Sequence, residues 1–344
     1  MLAIWWNKGV TTVAGLGLCL GLAATAAPVE AAPKTIYAFG DSLTDTGNIT
    51  SSTFGIVPLS PPYAPGRFSN GPLWIDRVAE AYGTQATPSL AGGDNYAFGG
   101  ATTGGAVPPG VTFQTLDFLA RQGTRGADPE ALYIVYGGGN DVRNELTSTL
   151  APETLAAAAT ENVRQAVTNL ALAGAEYIMV PNLSDLALTP ESIAGGPEMM
   201  NRATTLSAAF NTALTGVLAG LEAAYPIDLI PLDVRSLFNS VVGNPAQYGL
   251  TNVDTPCFTG AVDRPGTVCT NPDEYFFWDS VHPTTVAHRI FGDYALAALA
   301  GWDGADGDSG ADPDGDPLQV AEPATLAMLA GGLLGLGLLR RRQA

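Results

Sequence analysis

The sequence predicts an α/β protein, a three-layer α/β/α sandwich around a parallel sheet of five strands. Short apolar runs rich in Ile, Val and Tyr recur along the chain, and longer segments with helical spacing separate most of them. Strands buried on both faces are continuously apolar, and alternation with helices implies right-handed crossovers into a parallel sheet. Together these patterns indicate the layered α/β class.

The predicted elements place several loops at one edge of this sheet. The five predicted strands lie at residues 35–39, 95–98, 131–136, 177–180 and 227–232. The predicted helices lie at residues 73–82, 113–122, 153–173, 199–224 and 284–299. In such sheets ligands bind beyond the carboxyl ends of the strands. We therefore expect a functional site in the loops that follow the first three strands.

The amino-terminal segment has the features of a signal peptide. Lys8 precedes an apolar run at residues 10–24, and Ala24-Thr25-Ala26 matches the small-x-small pattern of a cleavage site. Residues 1–26 are therefore predicted to be removed on export. The folded domain is predicted to be a single one at residues 34–302, since chain length is only a soft guide to domain number.

The carboxyl-terminal segment is predicted to lie outside the fold. Residues 303–319 are rich in Asp and Gly, bury little apolar surface and are typical of a solvated linker. Residues 320–344 contain an apolar run followed by Arg340-Arg341-Arg342. That run is short of the ~20 residues of a comfortable bilayer span, while its positive flank would orient it in a membrane. The segment is more typical of a sorting tail than of a receptor helix.

Charge and cysteine content restrict the partners and the compartment. The formal net charge of −18 argues against nucleic acid or an anionic membrane surface as partner, because such binding needs clustered Lys and Arg. Of three cysteines, Cys19 lies in the predicted signal peptide. The remaining pair, Cys257 and Cys269, is predicted to form a disulfide in an exported protein.

The first strand ends in an unusual way, with Gly40-Asp41-Ser42 inside the stretch AFGDSLTDTGN. Gly adopts backbone angles that other residues avoid, so this tripeptide is typical of a sharp strand exit that lifts Ser42 into an exposed position. An ordinary turn with Asp41 or Ser42 as a helix cap is the alternative, and this stretch alone favours it.

Four segments together supply the groups of a hydrolytic site. They are Gly40-Asp41-Ser42-Leu43, residues 95–101, Gly138-Gly139-Asn140-Asp141 and Asp279-Ser280-Val281-His282-Pro283. An ester hydrolase without a cofactor needs a nucleophile, a base, a group that orients the base, and donors for the oxyanion. All four roles have a candidate here.

Ser42 is the candidate nucleophile, His282 the base and Asp279 its orienting group. The sequence has two histidines. Pro283 suits the first helical position, which leaves His282 on the preceding loop, whereas His288 falls inside the helix and is predicted to be structural.

The candidate oxyanion donors are the backbone N–H groups of Ser42 and Gly100 and the side-chain amide of Asn140. The alternative for Asn140-Asp141 is a turn after the third strand. The alternatives for Asp279 and His282 are a capping pair and part of a metal site, but the spacing of His282 and His288 does not suit two ligands on one helix face. We predict no cofactor and no metal.

These blocks, in this order, resemble the SGNH/GDSL hydrolases, serine esterases and lipases with a flavodoxin-like sandwich. The family's Ser, Gly, Asn and His correspond to Ser42, Gly100, Asn140 and His282. Residues 66–76, 180–190 and 276–285 resemble the branch of lecithinase-like haemolysins, autotransporter esterases and plant GDSL lipases. No G-x-S-x-G elbow surrounds Ser42, which argues against the α/β-hydrolase fold.

The tail resembles a PEP-CTERM sorting signal, with Val320-Ala321-Glu322-Pro323 in place of the usual Val-Pro-Glu-Pro. That resemblance implies a Gram-negative host, transient inner-membrane association, cleavage by an exosortase-type protease, and release to the surface or medium.

The expected activity is hydrolysis of small-molecule or lipid carboxylic esters through an acyl-enzyme. The alternatives are O-deacetylation of surface polysaccharide and a catalytically silent adhesin on the same fold.

Overall fold

A computed structural model describes residues 35–301 of the chain. The predicted signal peptide at residues 1–26, linker at 303–319 and sorting tail at 320–344 lie outside the described residues. Between residues 35 and 301 no helix is both long enough and apolar enough to cross a membrane.

A parallel sheet of four regular strands forms the centre of the domain, in the order β1-β2-β3-β4. The strands are β1 (Ile36–Gly40), β2 (Leu132–Tyr136), β3 (Tyr177–Pro181) and β4 (Asp228–Leu232). β2 is buried along its whole length, which explains why it is continuously apolar in sequence. The predicted α/β/α fold class is therefore confirmed.

The five predicted helices are present and lie close to their predicted positions. They are α2 (Trp74–Ala81), α3 (Val111–Gln122), α5 (Pro152–Leu172), α7 (Pro197–Ala224) and α9 (Thr285–Gly301). The described residues also form helices that the sequence did not predict: α1 (Asn48–Ser52), α4 (Gly139–Asn144), α6 (Pro190–Ala194) and α8 (Val234–Gly243). Two groups of helices form the outer layers: α5 contacts α3 and α7 in one layer, and α9 contacts α2 and α8 in the other.

Aromatic side chains join both layers to the sheet. On one face, Phe118 of α3 packs against Tyr37 and Tyr133, with ring centroids 4.7 and 5.7 Å away. On the other face, Trp74 of α2 stacks on Phe291 of α9 at 4.3 Å. Both of these rings also meet Tyr136 of β2, at 6.0 and 5.7 Å. Tyr133 and Tyr136 are three positions apart on one strand and point to opposite faces, so both helical layers pack against β2.

The strand predicted at residues 95–98, the second in chain order, is present only as an irregular segment at the edge of the sheet. Residues 95–98 run parallel to β1, because Tyr96 N–H donates to Ala38 and Phe98 N–H donates to Gly40. The side chain of Asn95 accepts the N–H of Ala97 at 3.0 Å. Such local side-chain bonds compete with ladder pairing, so the prediction of five regular strands was wrong in this detail.

A small second sheet carries the segment that leads to Asp279. Strands β5 (Asn252–Pro256) and β6 (Tyr275–Phe277) pair in parallel. The predicted disulfide between Cys257 and Cys269 is confirmed and closes the loop between these strands. Beside it, Cys257 N–H donates to Phe277 and Phe258 N–H donates to Trp278.

Removing this disulfide is expected to destabilise the domain without abolishing its fold. A 12-residue separation between the cysteines corresponds to about 3 kcal/mol in the chain-entropy estimate. We expect the double variant Cys257→Ala/Cys269→Ala to lose about that free energy of unfolding in urea. Wild-type protein treated with excess thiol should lose a similar amount, and the double variant should not respond to thiol. Equal stability of oxidised and reduced wild type would contradict the prediction.

Candidate active site

The turn after β1 depends on a close contact between two backbones. A Cβ on Gly40 would lie 2.5 Å from the carbonyl oxygen of Tyr136. Gln114 holds the same residue, because its side chain accepts from Gly40 N–H and donates to Gly40 C=O, both at 2.8 Å. Glycine is therefore required at position 40 because a side chain has no space there. The sequence had instead suggested that glycine is needed for its unusual backbone angles.

The capping alternative for Asp41 and Ser42 was wrong. Helix α1 begins only at Asn48, and Asp45 accepts the N–H groups of Gly47 and Asn48 at 2.8 and 2.7 Å. Asp41 accepts the N–H of Leu43 within the turn. The side chain of Ser42 caps no helix and instead contacts His282, 240 residues later in the chain.

Three predicted residues come together in one line of contacts. Ser42 Oγ lies 2.9 Å from His282 Nε2, and His282 Nδ1 lies 2.7 Å from Asp279 Oδ2. Both distances are in the hydrogen-bonding range. A serine, an imidazole and a carboxylate in this order can transfer a proton away from the serine hydroxyl.

These side chains are more buried than the sequence suggested. Ser42 is 8% exposed, His282 9% and Asp279 4%, so the prediction of an exposed Ser42 was wrong. The ring of Phe68 packs on the imidazole of His282, with centroids 5.2 Å apart. Burial of this kind strengthens the electrostatic contacts within the site.

Asp279 has a dense set of hydrogen-bond donors. Its Oδ1 accepts the N–H groups of Val281 and His282 at 2.8 and 2.7 Å. Its Oδ2 accepts the hydroxyl of Tyr63 at 2.6 Å in addition to His282. Burial by itself raises the pKa of Asp279, but the charge of His282 and these hydrogen bonds outweigh it and lower the pKa to about 2. Asp279 is therefore a carboxylate at neutral pH.

Asn140 and Gly100 are linked through the residue that follows Gly100. Asn140, the second residue of α4, donates from Nδ2 to the carbonyl oxygen of Ala101 at 2.9 Å. This bond uses one of its two amide protons. Gly100 is exposed and has φ 78°, a backbone conformation that favours glycine.

Asp141 holds the loop after Gly100 against α4. Its carboxylate accepts both the backbone N–H and the hydroxyl of Thr103, at 2.9 and 2.7 Å. Asp45 has a similar effect on the neighbouring turn, since it accepts the N–H of Gly99 at 2.8 Å. Neither role could be predicted from the sequence, because a polar residue in a turn gives no signal of a partner so distant along the chain.

Two further titratable groups near the site, His288 and Asp41, have pKa values shifted by burial. His288 is 1% exposed and accepts the N–H of Trp74 at Nδ1, while burial and the charge of His282 lower its pKa to about 3. Burial raises the pKa of Asp41 to about 6. Within residues 35–301, no group of three or more His, Cys, Asp or Glu side chains is arranged to hold a metal ion.

Ser42, Asn140 and His282 line one cleft, whose apolar wall consists of Leu43, Leu186, Leu188, Phe238, Phe277 and Val281. A larger groove of about 900 Å³ is lined by residues of α2 and α9, and none of the predicted site residues lines it. The smaller cleft is the candidate site of ester hydrolysis, because Ser42 and His282 both line it and neither lines the larger groove.

The fold and the site define a class of protein. The family model described as GDSL-like Lipase/Acylhydrolase matches residues 36–295, which includes every predicted site residue. The chain belongs to this family and has the SGNH hydrolase fold.

Curated relatives carry related names. The chain is 32% identical over 342 residues to Esterase EstA of Pseudomonas aeruginosa, a match that covers 82% of this chain and 49% of the relative. It is 27% identical over 335 residues to the phosphatidylcholine-sterol acyltransferase of Aeromonas hydrophila, covering 83% of this chain and 95% of the relative. The chain thus spans about half the length of the first curated relatives it matches.

Among solved structures, Axe2, an acetylxylan esterase from Geobacillus stearothermophilus, aligns with 81% of this chain and 99% of its own. The TM-score is 0.42 and the sequence identity 14%.

Substitution of Asn140 gives a test of the oxyanion site. We expect Asn140→Ala to lower kcat for an aryl ester by ~10²–10³-fold, the usual loss for one oxyanion donor. The matched change Asn169→Ala, near the end of α5 and away from the cleft, should leave kcat unchanged. A raised KM with kcat unaltered would instead assign Asn140 to substrate binding.

Proposed function

We propose that this chain hydrolyses carboxylic esters through an acyl-enzyme on Ser42. The observation that carries the proposal is the chain of contacts from Ser42 Oγ through His282 to Asp279, at 2.9 and 2.7 Å. Asp279 holds a proton on Nδ1 of His282, so Nε2 is free to accept the proton of the Ser42 hydroxyl.

In the first half-reaction, Ser42 Oγ bonds to the ester carbonyl carbon as its proton passes to His282 Nε2. The N–H groups of Ser42 and Gly100 and the amide of Asn140 stabilise the resulting oxyanion. The carbon–oxygen bond to the alcohol then breaks, and His282 donates its proton to the departing oxygen. The acyl group remains on Ser42.

The second half-reaction repeats these steps with water. His282 takes a proton from the water as its oxygen bonds to the acyl carbon. The bond to Ser42 Oγ breaks, and the returning proton regenerates the hydroxyl. The products are a carboxylic acid and free enzyme, and no cofactor is consumed.

A fluorophosphonate probe tests this proposal directly. An activated Ser42 should attack phosphorus and displace fluoride, and peptide mass spectrometry should then locate the adduct on Ser42. The control variant His282→Ala should remain unlabelled, because it lacks the base. The absence of any label would refute the proposal and favour the silent adhesin, whereas a label on another serine would refute the assignment of the nucleophile to Ser42.

The substrate class is proposed more broadly, as small-molecule or lipid esters. The motifs at residues 66–76 and 276–285 support placement in the branch of haemolysin-like, autotransporter and plant GDSL enzymes. A panel of short aryl esters, long-chain esters, phospholipid and acetylated glycan separates the candidates. Activity confined to the acetylated glycan would establish the O-deacetylase alternative.

We also propose that the protein is exported and that an exosortase-type protease removes its tail near Glu322-Pro323. The disulfide between Cys257 and Cys269 supports an oxidising compartment. The apolar run followed by Arg340-Arg341-Arg342 supports a transient hold in the inner membrane. Peptide mapping of both ends of the protein from its host tests this, and persistence of the three arginines would show a permanent anchor instead.

A further inference from the structure

Tyr63 is a buried side chain whose hydroxyl reaches the active site. It is 1% exposed and donates to Asp279 Oδ2 at 2.6 Å, across 216 residues of sequence. The accepting oxygen is the same one that contacts Nδ1 of His282. No step of the proposed mechanism uses this hydroxyl.

We propose that Tyr63 is a positioning residue, which fixes the carboxylate oxygen that orients the imidazole of His282. The inference rests on the proposed function, because it assigns Tyr63 an effect on a reaction that Ser42 and His282 carry out. Tyr63 itself does not contact the reacting atoms.

The carboxylate of Asp279 is held at both oxygens. Two backbone N–H groups fix Oδ1, as described above, while the side chains of Tyr63 and His282 fix Oδ2. Without the Tyr63 hydroxyl, the backbone donors and the imidazole still bind the carboxylate. Oδ2 then loses the one partner, among residues 35–301, that contacts it without taking part in the reaction. The imidazole would then occupy a wider range of orientations. A small misplacement of a catalytic base lowers the reaction rate.

Aromatic packing fixes the Tyr63 ring. Phe258 and Trp278 both meet it edge to face, with centroids 5.5 and 6.1 Å away, and they stack on each other at 5.6 Å. Phe258 follows Cys257 directly, and Trp278 precedes Asp279 directly. The ring cluster therefore connects the disulfide-closed loop to the carboxylate, which makes the hydroxyl a rigid donor.

The hydroxyl also stabilises the charge on Asp279. Its hydrogen bond to Oδ2 is one of the contacts that lower the pKa of this carboxyl. Loss of the hydroxyl therefore removes one of the groups that keep Asp279 ionised as well as one of those that hold it in place.

The test compares Tyr63→Phe with Tyr133→Phe. Tyr133 is equally buried, and its hydroxyl donates to the backbone of Asp128 at 3.0 Å, outside the site. We expect Tyr63→Phe to lower kcat by ~3–10-fold with KM little changed. Tyr133→Phe should change neither kcat nor KM. An unaltered kcat in Tyr63→Phe, a raised KM with kcat unchanged, or equal effects of both variants would overturn the proposal.

A double-variant comparison separates positioning from general destabilisation. If Tyr63 acts through Asp279, Tyr63→Phe should have little further effect on kcat in an Asp279→Asn background. A full additive loss would refute the proposal even if Tyr63→Phe weakened the fold. Failure of the proposed function is recognised separately, because Ser42→Ala would then retain hydrolysis.

Discussion

Replacement of Ser42 by alanine is expected to lower kcat for a simple aryl ester by ~10⁵–10⁶-fold, the loss seen when a triad nucleophile is removed. The physical reason is that Ser42 Oγ, 2.9 Å from His282 Nε2, is the hydroxyl from which this base can take a proton. Steady-state kinetics with an activated ester measure the change.

The fold should survive this substitution. The hydroxyl makes one hydrogen bond, to the imidazole of His282, and such a bond is worth about 1 kcal/mol. Circular dichroism should therefore be unchanged and the melting temperature nearly so. Ser52→Ala is the matched control, since the Ser52 hydroxyl donates only to Ile49 within α1 and its loss should leave hydrolysis intact. Substantial activity in Ser42→Ala would mean that another nucleophile acts.

Replacement of Asp279 by asparagine is expected to cost ~10⁴-fold in kcat, as in other Ser-His-Asp triads. The N–H groups of Val281 and His282 require an acceptor at the Oδ1 position. The asparagine oxygen should remain there, so its NH₂ group faces His282 Nδ1. That group donates, which forces the imidazole proton onto Nε2, and a protonated Nε2 cannot accept the proton of Ser42.

A surface aspartate supplies the control for this change. Asp117, which pairs with Arg121 on α3, can be changed to asparagine without altering the cleft, and its kcat should match wild type. The Asp279→Asn variant should also still fold, because its shape and its Oδ1 contacts are retained. Activity of Asp279→Asn above about a tenth of wild type would contradict the tautomer argument.

The sequence predicted those parts of the fold that depend on local repetition. Helix α7, for example, was expected at residues 199–224 and is found at Pro197–Ala224, because apolar periodicity extends over many residues. The edge segment at residues 95–98 was less predictable. Whether its backbone pairs regularly with β1 depends on the competing Asn95 side chain, which periodicity does not register.

The candidate site likewise contains residues that could be predicted from the sequence and residues that could not. Its residue types could be identified from sequence, because Ser42, Asn140, Asp279 and His282 lie in short motifs whose chemistry is complementary. The residues that support them could not be identified from their surroundings in sequence. Asp45 and Tyr63 have ordinary neighbours, and their partners Gly99 and Asp279 are 54 and 216 residues away.

Patterns along the chain are therefore enough to predict most of the strands and helices, the cysteine pair and the four groups that can carry hydrolysis. The packed fold is needed to show that Ser42 is 8% exposed, that lack of space beside Tyr136 excludes any side chain at position 40, and that Tyr63 binds Asp279. Periodicity and motifs are set by neighbours along the chain, whereas burial and long-range hydrogen bonds are set by how loops close around the packed core.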